Sequence, residues 1–374
     1  MLSYRTTGYN GYGVQYSPFF DNKLAVATAA NYGLVGNGRL FVLSIEPDGT
    51  IKQQNIWDTQ DGLFDVAWSE IHENQVAVSS GDGSIKIFDI MVPQFPIQNY
   101  KEHTKEVFSV NWNLVDKGNF ISSSWDGTIK LWSPQRQASI LTLHGNTSSA
   151  SVNPHMSETN PPKTHNQMGR SSAVDTTNCI YNATFSPHSP STILSCNGSS
   201  HLQVWDTRAP SPLQMDFIAH GGLEVLSCDW NKYQSSVVAS ASSDKSVRIW
   251  DLRMLPTITS QAQSPITAYR TRTATPLAQL VGHQFAIRKV TWSPHSADEL
   301  LSASYDMTCK VWKNLNSPNI QSSSFSTMAC FGTMHLHREF VIGCDYSLWG
   351  EPGWAASTGW DEQVYVWDSK RLSH

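Results

Sequence analysis

The chain has 374 residues, 40% of them hydrophobic, with 26 Lys and Arg against 31 Asp and Glu for a formal net charge of -5. That length suits two ordinary domains or one large one, and the absence of a basic excess or stripe argues against nucleic-acid binding. No run approaches the ~18 apolar residues of a membrane span, so direct membrane insertion is not expected, and the opening MLSYRTTGYN lacks the apolar centre of a secretion signal.

Along the chain, residues 2–6 (LSYRT) form a short β-prone run with no local partner. A weak first repeat follows, with Tyr16 in a short strand and GRLFVLSI at 38–45. Six stronger copies come next: VSSGDGSIKIFD (78–89), ISSSWDGTIKLWS (121–133), LSCNGSSHLQVWD (194–206), VASASSDKSVRIWD (238–251), LSASYDMTCKVWK (301–313) and AASTGWDEQVYVWD (355–368). Each is a β-rich run, a tight polar turn, and an alternating run that ends in an aromatic residue, which is a hairpin signature.

The closing slots are Leu43, Phe88, Trp132, Trp205, Trp250, Trp312 and Trp367. Three of their spacings are 44 or 45 residues, the length of one four-stranded propeller blade. The others, 73, 62 and 55, imply insertions, and composition places these at about 145–177, 255–279 and 314–333, rich in Ser, Thr, Asn and Pro. A second aromatic precedes every hairpin: Tyr16, Trp68, Trp112, Phe185, Trp230, Trp292 and Tyr346. Seven copies predict one all-β domain over 1–374, a seven-bladed propeller. The last repeat stops too soon for a fourth strand, so residues 2–6 are expected to supply it and close the ring. The chain resembles the WD-repeat family throughout. Its six cysteines lack CxxC spacing and fall mostly in strand-like runs. They read as small buried residues in a reducing compartment, hence a soluble intracellular protein.

Ser, His and Asp recur at fixed offsets: His103, Ser124 and Asp126 with Trp132; His220, Ser242 and Asp244 with Trp250; His283, Ser304 and Asp306 with Trp312. A hydrolase needs one such set beside an oxyanion hole, not three at repeat spacing. The WD-repeat resemblance implies instead a buried hydrogen-bonded tetrad in each blade. The seventh repeat has His337, Asp361 and Trp367 but Gly359 for the serine, and the second has Thr59 for the histidine. Both tetrads are therefore expected to be incomplete. His335 and His337 have no further ligand at metal spacing, and no helix follows GNG (36–38) or GDG (81–83) to receive a phosphate. No catalytic residue, metal or cofactor is expected.

Members of this family commonly bind partners on the face that carries the loop before each innermost strand. The corresponding positions here include Tyr12, Phe64, Glu106, Phe108, Trp125, Tyr181, Glu224, Leu226, Arg288, Tyr305, Phe340, Ile342 and Trp360. With Asp61 they make an aromatic ring whose charges are mostly acidic, with Arg288 the opposing one. An exposed ring of this kind predicts a protein-binding surface.

The segment GYGVQYSPFFDNKLAVATAANYGLVGNGRLFVL (11–43), with TQDGLFDVAW (59–68), KEVFSVNWN (105–113), AIRKVTWSPH (286–295) and SASYDMTCKVW (302–312), is similar to the peroxisomal import receptors for the type-two, N-terminal targeting signal. That resemblance implies a cytoplasmic receptor that shuttles to the peroxisome. It would bind the helical signal of matrix proteins with a co-receptor and hand cargo to the docking complex. The cargo-binding residues would be Asp61, Phe64, Glu106, Phe108, Trp125, Tyr181, Glu224, Tyr305, Phe340 and Trp360. A WD-repeat histone-binding subunit, or a scaffold without a peptide pocket, remains the alternative, because the fold hosts many functions.

Overall fold

The computed structural model describes residues 1–145, 178–255, 274–314 and 325–372. Alternation of apolar and polar residues between tight turns makes strands, and these assemble into seven antiparallel four-stranded sheets. Six are up-and-down meanders of consecutive strands; the seventh joins Val341–Tyr346, Trp354–Gly359 and Gln363–Asp368 to the N-terminal strand Leu2–Arg5. As expected, that strand closes the ring, with Leu2 opposite Val366 and Arg5 opposite Gln363. Numbered from Asn10, the blades pack side by side through their innermost strands around a central channel.

The core lies between blades. Trp112, Phe120 and Trp132 of blade 3 pack on Ile85, Ile87 and Tyr100 of blade 2, and equivalent clusters fill the other junctions. Burying each such indole against its neighbours is worth about 2–3 kcal/mol. Both aromatic slots read from the sequence are therefore core.

Polar side chains in the channel finish the joints. The inner strand of each blade is a sheet edge, whose free N–H groups need acceptors. Trp68 N–H donates to Gln15 Oε1 at 2.7 Å and Val110 N–H to Asp65 Oδ2 at 3.2 Å. Ala183 N–H donates to Ser109, Phe185 N–H to Asn111 and Cys228 N–H to Asn182. Val290 N–H donates to Ser227, Trp292 N–H to Asp229 and Tyr16 N–H to Asp345, the last across the closing joint. Each acceptor sits one or three residues before its own inner-strand aromatic. The joint from blade 6 to blade 7 has no tie of this kind among the described residues.

The segments 146–177, 256–273 and 315–324, which hold most of the expected insertions, lie outside the described residues. The third insertion is shorter than expected. Phe325 starts a short 3-10 turn and Met328–Met334 is the outer strand of blade 6, paired with Cys309–Asn314. Phe325 and Met328 are buried between blades 5 and 6, so packing holds as strand a stretch whose Ser and Thr content reads as loop. The six cysteines form no disulfide among the described residues and five of them are buried, and no described helix is long and apolar enough to cross a membrane.

Candidate functional site

The repeated polar clusters resolve into a chain of hydrogen bonds from tryptophan to aspartate. In blade 3, Trp132 Nε1–H lies 2.8 Å from Ser122 Oγ, Ser122 Oγ 2.8 Å from His103 Nε2, and His103 Nδ1 2.8 Å from Asp126. An indole only donates and a carboxylate only accepts. For a neutral ring that donates Nδ1–H to the aspartate, the serine donates to Nε2. Blades 5 and 6 repeat the chain through Ser240 with His220, Asp244 and Trp250, and through Ser302 with His283, Asp306 and Trp312.

Two expectations are corrected here. The linking serine is not Ser124, Ser242 or Ser304 but the residue two before each. Ser124 bonds the Lys105 carbonyl and the Asp126 N–H, Ser242 the Glu224 carbonyl, and Ser304 the Ala286 carbonyl. They fasten the turn, not the histidine. Blade 7 is also complete, since Ser357 joins Trp367 to His337, which meets Asp361 at 3.0 Å. Gly359 is the turn-side position, where a Cβ would come within 2.5 Å of the Phe340 carbonyl oxygen. In blade 2, Thr59 takes no part in a tetrad and binds the Asp61 carbonyl instead.

Electrostatics fit a structural role. Burial lowers the pKa of His220 and His283 against the pull of their aspartates, favouring the neutral ring. Burial would raise Asp126 and Asp306, but the hydrogen bonds from His103 and His283 hold them well below the carboxylate range.

A single device builds the face above. Every innermost strand is bulged near its start, between Gly11 and Gly13, Leu63 and Asp65, Val107 and Ser109, and at the same place in the other four blades. The unpaired residues are Tyr12, Phe64, Phe108, Tyr181, Leu226, Arg288 and Ile342. A bulge takes a side chain out of the pleat and re-aims it, and here seven of them turn one residue per blade onto the channel mouth.

The aromatic members touch in sequence. Tyr305 lies 4.9 Å from Phe340, Phe340 5.1 Å from Trp360, and Trp360 6.0 Å from Tyr12. Tyr12 meets Phe64 at 5.1 Å, Phe64 stacks on Phe108 at 4.8 Å, and Phe108 on Trp125 at 4.5 Å and 4°. Tyr181 closes the arc edge-on to Trp125 at 5.9 Å. Stacking covers much of each ring: Phe64 and Tyr181 are each 7% exposed, so the surface is an aromatic pavement rather than a set of free side chains.

The charges divide. Arg288, expected as a rim charge, is only 8% exposed. It donates to the Leu226 carbonyl of the adjacent blade at 3.1 Å and reaches across the channel mouth to lie 5.5 Å from the Phe108 ring. Glu224 accepts from the Tyr181 hydroxyl at 2.9 Å, whose pKa burial pushes up. Asp61 Oδ1 accepts from the Gly62 N–H at 2.7 Å beneath Gly81. Glu106 gives only its main-chain carbonyl, to the Trp125 N–H at 3.0 Å, and its carboxylate has no partner among the described residues. With Arg288 withdrawn, Asp61, Glu106 and Glu224 are the charges left among the ring positions read from the sequence.

Sequence reasoning passed over one neighbour. The turn Asn31–Gly33 is left-handed, with φ of 49°, 57° and 68°. It is held by Asn10, which accepts from Tyr32 N–H and donates to the Trp360 carbonyl. It lays the Tyr32 ring 5.3 Å from Trp360 and raises Leu34 and Val35, 83% and 74% exposed, beside the pavement. The only sequence cue was two apolar residues between glycines 33 and 36.

Comparison with known proteins agrees with this architecture. The WD domain, G-beta repeat, matches residues 94–133, 211–251 and 274–313. The chain is 49% identical over 386 residues to the peroxisomal targeting signal 2 receptor of Komagataella phaffii, covering 100% of both, and 46% identical to that of Saccharomyces cerevisiae, covering 98% of this chain and 99% of the relative. The human receptor is 34% identical over 91% of this chain and 86% of its own. With identity of this order running from end to end of a seven-bladed WD-repeat propeller, the chain belongs to the family of peroxisomal targeting signal 2 receptors.

Proposed function

We propose that the protein captures the helical type-two targeting signal of peroxisomal matrix proteins on the aromatic face, that a co-receptor completes the grip, and that the complex shuttles from cytoplasm to the peroxisomal docking complex. The observation that carries this reading is the unbroken pavement from Tyr305 to Tyr181 with an unpaired Glu106 carboxylate at its edge. Signal positions seven residues apart are rotated by about 700°, nearly two turns of helix, so their apolar side chains share one face. A flat aromatic surface takes such a face, and the acidic rim takes a cation at its side. Glu106 is the first partner for that cation, because Glu224 is already engaged by Tyr181 and Asp61 by Gly62.

Anisotropy of a fluorescent signal peptide, with and without a co-receptor fragment, tests the proposal. Glu106→Lys should weaken binding by about tenfold or more with the fold intact, and Trp125→Ala by a similar factor. Unchanged affinity in both variants would remove the face from the mechanism.

A further inference from the structure

The face opposite the pavement holds a second recess, at the seam where blade 7 meets blade 1. Leu2, Ile45, Trp349, Trp354 and Val366 wall it, and Asp21 stands at its mouth. The residue in the inner-strand aromatic slot of blade 1 lines it. In blades 2 and 5 this slot holds an indole that fills the joint and donates to the preceding inner strand, Trp68 to the Gln15 carbonyl at 3.1 Å and Trp230 to the Thr184 carbonyl at 3.3 Å. At the seam the slot holds Tyr16, a smaller ring. Its hydroxyl is buried, with no hydrogen-bond partner among the described residues, and Tyr16 is 3% exposed.

The rim is rigid and uncovered. Trp349 donates its indole N–H to the Ser17 carbonyl at 3.0 Å, which fixes one wall, yet remains 39% exposed. Leu348, its neighbour in sequence, is 48% exposed. Asp21 and Glu351 are exposed carboxylates with no cation on them among the described residues, while the nearby Lys23 sits over the Phe20 ring at 3.8 Å.

We propose that this seam recess docks a peptide segment of a partner protein that carries a large apolar side chain with a Lys or Arg beside it. The apolar walls take the anchor, and Asp21 pairs with the cation. Inner strands begin at the pavement and end here, so a partner on this face and a ligand on the other can be held together. The proposal does not depend on what the pavement binds.

The test uses the full-length chain labelled with 5-fluorotryptophan, with the Trp349 and Trp354 resonances assigned through Trp349→Phe and Trp354→Phe. The probes are acetyl-Phe-Lys-amide and acetyl-Phe-Glu-amide. The lysine probe should shift both resonances with a dissociation constant in the millimolar range, about −4 kcal/mol. The glutamate probe should bind about fivefold or more weakly, the size of one solvent-exposed charge contact. Asp21→Asn, at an exposed position that leaves the fold intact, should bring the two probes within about twofold. Equal affinity of the two probes for the unaltered chain, no shift of either indole at about 20 mM, or shifts spread equally over tryptophans of both faces would overturn the proposal.

Discussion

Removing the hydroxyl of Ser302 strands two buried groups at once, the Trp312 indole N–H and His283 Nε2. Ser302→Ala is therefore expected to cost about 2–3 kcal/mol, and Ser304→Ala, whose hydroxyl serves a part-buried turn, about 1 kcal/mol. Urea denaturation of both variants checks the difference and with it the choice of serine. Sequence alone could not make that choice. Residues two apart share a strand face, so Ser122 and Ser124, or Ser302 and Ser304, fit the alternation equally. Only the register that sets Ser302 opposite Lys310, beside Trp312, separates them.

Asp345 offers a pH test at the same scale. Burial raises its pKa to about 7, although the Tyr16 N–H and Lys289 pull the other way. The folded chain then holds a proton that the unfolded chain, with an ordinary carboxylate, releases near pH 4. Stability from this residue is full below about pH 4 and falls as pH rises to 7. Asp345→Asn keeps an acceptor for Tyr16 and should abolish that fall. In urea titrations at pH 5 and pH 8 the variant should gain on the parent at pH 8. Gains that are equal at both pH values would show that the carboxyl does not titrate in this window.

Among the elements, the hairpins were the most legible, because Asp-Gly turns between alternating runs have few other readings. Gly83 and Gly127 take φ of 83° in the turns of blades 2 and 3. The same turn position holds Ser200, Lys245, Met307 and Glu362, all with φ between 60° and 72°. A side chain there costs about 1 kcal/mol, partly offset by the freedom glycine loses on folding. Lys245→Gly should therefore raise the melting temperature by a few degrees at most, a gain of up to about 1 kcal/mol, read by calorimetry. The bulges were not legible as such. Tyr12, Phe64 and Phe108 could be placed on the face by counting back from the inner aromatic, but not their stacking. Nor could the retreat of Arg288 into the channel mouth be seen, since it depends on contacts between blades far apart in sequence. The strand Met328–Met334 was hidden for a similar reason: its pairing is local, but its apolar anchors lie between two blades.

At the scale of the molecule, the ring closes by the pairing of residues 2–5 with 363–366. Deleting residues 1–6 should leave Gln363–Asp368 as an open edge and remove the Arg5–Glu362 ion pair. Light scattering should show association of the truncated chain. The seam also orders events in time. Every other sheet is made of neighbours in sequence, so six blades can form as soon as their own residues are available, whereas the first strand must wait for the last. Bringing ends so far apart together carries a loop-closure cost that local hairpins avoid. A circular permutant with Leu2–Arg5 joined directly behind Asp368, and new ends in segment 146–177 between blades 3 and 4, would turn the slowest pairing into an ordinary hairpin. It should refold faster than the parent while unfolding at a similar rate. In the natural order, a growing chain carries an unpaired first strand until Gln363–Asp368 emerges to receive it.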